Sequence, residues 1–332
     1  MTVTPQEVRY RRVINRIAIA MLIFFACLTV MGIMASLLLP LLISFLPPIA
    51  GDVVYECLYG VLYALMFLVP SFCLLKMLQH EGYPPLELRL MLPRGTVMYI
   101  FIGVAAVLAA ARLNAVIVDL LTFLLPELDA GVQPAAPPTT NYQLVLMVIT
   151  TAVVPAFVEE LLFRGVVLRA LLPYGRTTAV VASALLFGLM HGNASQLLYA
   201  TAAGLVFGYI FVHTGSLWCP ILIHLCNNLF AVITSVLYER LQPLTAYLTA
   251  TAIELAVLAI GIAAALFLLL SQRRDRRRVL REGAFERELP PDPEYAVVCL
   301  PARRRVRLFF SVLMIVFIVL CVLQMLFGLL VS

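Results

Sequence analysis

Three ionisable residues, Glu159, Glu160 and Arg164, lie within residues 142–172, a stretch otherwise apolar enough to cross a bilayer. A charged side chain at membrane depth costs roughly 2.5 to 3.5 kcal/mol on insertion scales, so such groups are rare without a function. Glu160 and Arg164 are four residues apart, the spacing at which a carboxylate and a guanidinium pair on one helical face. Glu159 points about 100° away from Glu160 and is free to face another group. The alternative is a buried ion pair that only fixes helix packing.

Two histidines add polar groups to the apolar part of the chain. His191 and His224 lie inside later apolar segments, and at a helical rise of about 1.5 Å per residue both reach a depth near that of Glu159. Asn228 follows His224 by four residues and therefore shares its helical face. A lone membrane histidine is commonly a helix-to-helix hydrogen bond, whereas polar groups gathered in one layer indicate a shared site.

Peptide hydrolysis suits these residue types. The reaction needs an activated water, a proton donor for the leaving amine and hydrogen-bond donors for the oxyanion. We interpret Glu159 and His191 as the pair that holds and deprotonates the water. We interpret His224 and Asn228, one helical turn apart, as the donors to the oxyanion.

Glu160 and Arg164 are expected to orient this site. Burial in a membrane favours the neutral form of a glutamate, so Arg164 or a cationic His191 is needed to keep Glu159 useful as a base. The two glutamates could exchange roles, and the residues alone leave both assignments open.

Three motifs follow one another on successive apolar segments: Glu-Glu-x-x-x-Arg at 159–164, Phe-x-x-x-His at 187–191 and His-x-x-x-Asn at 224–228. In this order they resemble the CAAX protease and bacteriocin-processing family (CPBP, also called Abi), whose eukaryotic members cleave the C-terminal tripeptide from prenylated proteins. The resemblance covers roughly residues 142–238 and implies an intramembrane glutamic endopeptidase related to the type II CAAX prenyl endopeptidases. The site residues it implies are Glu159, His191, His224 and Asn228, supported by Glu160 and Arg164.

Zinc is the mechanistic alternative, because two histidines and a glutamate also form a ligand set for catalytic zinc. Those ligands would be Glu159, His191 and His224. No His-Glu-x-x-His helix is present, and a metal-bound Glu159 would need a separate base, leaving only Glu160, which is committed to Arg164. We therefore predict a metal-free mechanism without a cofactor, with a zinc-dependent membrane metalloprotease as the alternative.

The composition determines which elements must position these residues. The 332-residue chain is 63% hydrophobic and 12% charged, whereas soluble domains carry about 25% charged residues. We predict an all-α, polytopic integral membrane protein with eight or nine transmembrane helices and the active site inside the helical bundle. Gly188, Gly204 and Gly208 are expected to allow close helix approach. The candidate spans are about 17–46, 53–78, 97–125, 142–172, 177–192, 196–213, 216–238, 246–270 and 308–331.

Arginine clusters at residues 9–16, 273–281 and 303–307 predict the orientation, because basic residues are retained on the cytoplasmic side. The N-terminus is then cytoplasmic, eight crossings lead to a cytoplasmic loop at 271–307, and the Pro-rich segment 126–141 is external. Lys76 is the only lysine, a bias typical of a GC-rich genome. We therefore expect a prokaryotic plasma membrane.

The predicted organisation has three parts. Residues 1–96 form an N-terminal two-helix region, residues 97–240 a CPBP-like catalytic core with its motifs at 159–228, and residues 241–332 a C-terminal two-helix extension. Arg112, Asn114 and Asp119, in the third apolar segment, are expected to help helices pack or to line a cavity.

The expected partners are a peptide or membrane-protein substrate and the lipid bilayer, because no basic patch with interleaved aromatic residues suggests nucleic acid. Two function classes compete with a protease. One is a non-catalytic membrane scaffold or bacteriocin immunity protein. The other is a transporter or proton channel, which predicts paired broken helices or an inverted repeat that the sequence lacks.

Overall fold

The computed structural model describes residues 4–80, 82, 95–124, 138–282 and 300–331, and within them the regular structure is helical without strands. This confirms the predicted all-α architecture. The helices are, in chain order, α1 (Pro5–Ile43), α2 (Pro48–Gln79), α3 (Thr96–Leu124), α4 (Asn141–Tyr174), α5 (Arg176–Met190), α6 (Ala194–Thr214), α7 (Trp218–Arg240), α8 (Pro243–Glu282), α9 (Ala302–Phe309) and α10 (Val312–Val331).

Seven helices of the described chain are long and apolar enough to cross a membrane, namely α1 to α4 and α6 to α8. An eighth span results if α9 and α10, which meet at an angle of 65°, are counted as one. Helix α5 has 15 residues and is therefore only about 22 Å long, shorter than a hydrocarbon core of about 30 Å. The predicted orientation requires α5 to cross as well and stays a prediction. That prediction relies on the charges of two loops. Residues 125–137 of the first loop and 283–299 of the second lie outside the described residues.

The first helix begins earlier than the apolar pattern predicted. Thr4 forms a capping box with Glu7: the Glu7 amide donates to Thr4 Oγ1 at 3.3 Å, and the Thr4 amide donates to Glu7 Oε2 at 2.9 Å. This cap starts the helix at Pro5, so the polar residues 5–16 are helical too. Hydropathy marks the lipid-facing length of a helix, whereas capping chemistry marks where it begins.

Helix α4 departs from α-helical geometry on both sides of its glutamates. Widened π-helical turns occupy Val148–Val153 and Leu161–Leu168, and the α-helical stretch between them carries Glu159 and Glu160. Pro155 explains the first widening, because its ring has no N–H to donate and would crowd the carbonyl of residue 151 in a regular helix. Such π-helical turns occur often at functional sites.

Glycines bring α6 against its neighbours, as expected. A Cβ atom on Gly204 would lie 3.0 Å from the Cα of Ala184 in α5, and one on Gly188 would lie 2.9 Å from the Leu197 carbonyl oxygen in α6. Both distances are too short for a side chain. The α5–α6 contact therefore depends on the small residues at these positions.

The C-terminal helices pack onto earlier helices of the bundle. Helix α8 lies along α3, where Arg112 pairs with Glu254, while α10 contacts α1 and α5. Asn114 of α3 donates through Nδ2 to the Ser195 carbonyl oxygen at 2.9 Å. Arg112 and Asn114 thus join helices, as predicted for them, whereas Asp119 is exposed.

Candidate active site

A cavity of about 450 Å³ lies between α2, α4, the end of α5 and α7. The four residues predicted to carry the chemistry all line it: Glu159, His191, His224 and Asn228. Tyr59 and Tyr63 of α2 add a wall of aromatic rings. The structure thus brings together side chains that are up to 69 positions apart in the sequence.

Glu159 is almost fully buried, with 3% of its surface exposed. Its Oε1 accepts a hydrogen bond from the Tyr63 hydroxyl. Its Oε2 has no hydrogen-bond partner within the described residues. A buried carboxylate oxygen without a partner carries a large desolvation cost, so this atom is suited to receive a hydrogen bond from water or substrate.

His191 follows the last residue of α5, and its ring is oriented by the preceding turn. Nδ1 lies 2.8 Å from the carbonyl oxygen of Phe187. Because a carbonyl can only accept, Nδ1 carries a proton, and the neutral ring keeps an unprotonated Nε2. The four-residue spacing of Phe187 and His191 therefore fixes the tautomer that a base requires.

Glu160 does not line the cavity, and its carboxylate connects Arg164 with His224. Its Oε1 accepts from Arg164 Nη1 at 2.8 Å and lies 3.1 Å from His224 Nδ1. Glu160 and Arg164 have no exposed surface, and Arg164 Nη2 also donates to the Gly204 carbonyl oxygen at 3.1 Å. The expected Glu160–Arg164 pair is formed, and it reaches the cavity through His224.

Aromatic rings enclose the buried cation and the second histidine. The Arg164 guanidinium lies over the Phe187 ring at 4.4 Å and over the Phe207 ring at 5.0 Å. The His224 ring stacks on Phe207, with centroids 5.2 Å apart and planes at 20°. These contacts fix the plane of His224 while Glu160 fixes its Nδ1, so Nε2 is the ring atom left for a ligand.

Asn228 is oriented by its neighbour in the sequence. The Tyr199 hydroxyl donates to Asn227 Oδ1 at 2.7 Å, and Asn227 Nδ2 donates to Asn228 Oδ1 at 3.1 Å. The acceptor end of the Asn228 amide is thereby occupied. Its NH₂ end is the part of the side chain that remains to donate to a ligand in the cavity.

A known protein family matches the segment that carries most of these residues. Residues 141–230 match the family described as "Type II CAAX prenyl endopeptidase Rce1-like". This match supports the resemblance of the segment to the CAAX protease and bacteriocin-processing family. It is also 32% identical over 120 residues to the Bacillus subtilis (strain 168) protein described as "Putative membrane peptidase YdiL". That alignment covers 35% of this chain and 46% of the relative, so the chain spans about half the relative's length. No solved structure matches the chain.

The family resemblance left zinc as an alternative, and the donor geometry bears on it. No group of three His, Cys, Asp or Glu side chains in the described part of the chain is arranged to hold a metal ion. His224 Nδ1 is directed to Glu160 and His191 Nδ1 to a backbone carbonyl. Metal-binding histidines commonly use this orientation, with one ring nitrogen held by a carboxylate or carbonyl and the other free, so the metal-free mechanism stays a prediction.

Sequence reasoning missed Tyr63, which lies outside the family-matched segment and in the part predicted as an N-terminal membrane region. The signal was available in the spacing of Tyr55, Tyr59 and Tyr63, which are four residues apart and follow one face of α2. Glu254 was also missed, although it is a buried acid within an apolar segment.

Proposed function

We propose that this protein is a CPBP-type intramembrane endopeptidase that hydrolyses peptide bonds in membrane-associated peptides or proteins. The observation that carries the proposal is the cavity lined jointly by Glu159, His191, His224 and Asn228. The description of the Bacillus relative as a membrane peptidase supports the same activity. We propose a prokaryotic plasma membrane from the near-absence of lysine, and a cytoplasmic N-terminus from the arginine clusters.

Water activation falls to Glu159 and His191. Water binds between the free Oε2 of Glu159 and Nε2 of His191, one of which takes a proton as the oxygen attacks the peptide carbonyl carbon. Tyr63 holds the other carboxylate oxygen. Glu159 suits the role of base better than Glu160, because Glu160 does not line the cavity and is already bonded to Arg164 and His224.

Oxyanion stabilisation falls to Asn228 and His224. The NH₂ group of Asn228 donates to the developing negative oxygen. His224 can donate from Nε2 only when its ring carries both protons, since Nδ1 is directed to Glu160.

The remaining step breaks the bond. As the tetrahedral intermediate collapses, the carbon–nitrogen bond cleaves and the leaving amine takes the proton held by Glu159 or His191. The products are a new carboxyl terminus and a new amino terminus, and the base returns to its starting form. This route uses no metal or cofactor.

The decisive test compares peptide termini in membranes of cells expressing the native chain, Glu159→Gln or Glu254→Gln. The last variant is a matched control, because Glu254 is also a buried membrane acid but lies outside the cavity. We expect new termini with the native chain and the control and their loss in Glu159→Gln. Identical termini in all three samples would contradict the proposal, and an unchanged phenotype would favour a scaffold. Cleavage abolished by a chelator and restored by zinc would favour the metalloprotease.

A further inference from the structure

A second cavity, of about 640 Å³, lies where the first helix meets the C-terminal helix pair. Arg11 and Arg12 of α1 face Arg304 and Arg307 of α9 across it. Glu7 is the one carboxylate among the residues that line this cavity. Four guanidinium groups from two distant parts of the sequence therefore surround one space.

Glu7 compensates only part of this positive charge. Its Oε1 lies 2.6 Å from Arg304 Nη1, and its Oε2 accepts from the Thr4 amide in the cap of α1. The charges of Arg11 and Arg307 have no matching carboxylate among the lining residues. Guanidinium groups bind phosphate oxygens in bidentate geometry, so an anion of the phosphate class is the complementary ligand.

Apolar side chains form the other part of the cavity wall. Val8 is 45% exposed, Phe310 52% and Val312 70%. The cavity also lies beside the bend of 65° between α9, which is rich in arginine, and α10, which is apolar. A free phosphate gains nothing from contact with an apolar wall, whereas a phospholipid carries acyl chains next to its phosphate and can pack them there.

We propose that this cavity binds the phosphate headgroup of an anionic phospholipid, with Arg11 and Arg307 as its main ligands and an acyl chain along Val8, Phe310 and Val312. Such a lipid bridges α1 and α9 and joins the two ends of the chain. Arginines that served only as orientation signals would need to lie near helix ends, but they would not need to converge on one cavity. The proposal does not rest on protease activity.

The test uses native mass spectrometry of the purified full-length protein in detergent, titrated with phosphatidylglycerol or phosphatidylcholine. We compare the native chain with Arg11→Gln/Arg307→Gln and with a matched control, Arg9→Gln/Arg303→Gln. The control changes the same net charge on the same two helices, but its residues do not line the cavity. Thermal unfolding and size-exclusion elution identify any variant that does not fold.

We expect one tightly retained phosphatidylglycerol on the native chain and on the control. Loss of two arginines should weaken its binding roughly 20- to 30-fold in Arg11→Gln/Arg307→Gln. The second variant, used if the first does not fold, is Arg11→Lys/Arg307→Lys; it keeps the charge but loses the bidentate geometry, so its binding should be weaker than native and stronger than in the glutamine variant. Equal loss in the two glutamine variants would overturn the proposal in favour of a general charge effect. Equal retention of phosphatidylcholine, or displacement of the lipid by millimolar inorganic phosphate, would overturn it as well.

Discussion

The Tyr63 hydroxyl donates a hydrogen bond to Glu159 Oε1 and so connects α2 to the acid at the centre of the cavity. The two residues are 96 positions apart, and Tyr63 lies outside the segment that matches the family. The bond holds one carboxylate oxygen in place, while Oε2 has no hydrogen-bond partner within the described residues. Within the proposed mechanism, Tyr63 is a positioning residue for the base.

Replacing Tyr63 by Phe should therefore lower kcat with little change in KM. A hydrogen bond to a charged group contributes about 1.5 to 3 kcal/mol, which corresponds to a loss of roughly 10- to 150-fold in rate if the bond is needed in the transition state. The measurement is steady-state cleavage of a substrate identified by the comparison of termini.

Tyr55→Phe is the control for this change, because Tyr55 lies on the same face of α2 but does not line the candidate active site. We expect it to keep native kinetics. A Tyr63→Phe variant with native kcat would show that the hydroxyl serves packing only.

The buried Glu160–Arg164 pair predicts that a single variant loses much more stability than a double variant. Arg164→Met leaves a fully buried carboxylate without its guanidinium partner, which should cost about 3 to 5 kcal/mol of unfolding free energy. Glu160→Gln combined with Arg164→Met removes both charges and should recover most of that loss. Thermal unfolding in detergent measures both effects.

Activity should not recover in the same double variant, because His224 has then lost the carboxylate at its Nδ1. Stability and activity are thus expected to separate. A double variant that regains both would show that Glu160 serves only the ion pair.

Variants of Asn228 should lose catalytic rate without losing stability. Asn228→Ala removes one candidate oxyanion donor, and removal of such a donor costs about 100- to 1,000-fold in kcat in characterised hydrolases. Asn228→Asp has a similar shape but presents acceptors instead of a donor, so it should be at least as impaired. Substrate binding by both variants should stay close to native, and a rise in KM alone would contradict the assignment.

How far the sequence could predict the site depended on the range of each contact. The pairing of Glu160 with Arg164 lies within one helical turn, so spacing alone predicted it. The bond from His191 to the Phe187 carbonyl has the same four-residue range but was not predicted. The contact of Glu160 with His224 spans 64 residues and that of Tyr63 with Glu159 spans 96. Such contacts depend on how the helices pack, which a single sequence does not encode in any local pattern.

The same distinction applies to the fold, in which some features follow from composition and others do not. Apolar length predicted where the helices lie, because burial in lipid depends on side-chain composition over about 20 residues. The beginning of α1 at Pro5 was set by a capping box instead, and the widened turns of α4 by its proline and its packing. Hydropathy contains neither signal.

The Arg112–Glu254 pair between α3 and α8 makes the last prediction, because its two partners differ in exposure. The side chain of Arg112 is 47% exposed, whereas that of Glu254 is 7% exposed. Arg112→Met leaves the buried acid without a counter-charge and should lower the unfolding free energy by about 3 kcal/mol. Glu254→Gln leaves a half-exposed arginine, whose long side chain can reach the surface, and should cost about 1 kcal/mol.

Thermal unfolding of the two variants in one detergent checks this order. Equal losses would indicate that Glu254 is solvated despite its burial. Cleavage should be native in both variants, because neither residue lines the cavity that holds Glu159.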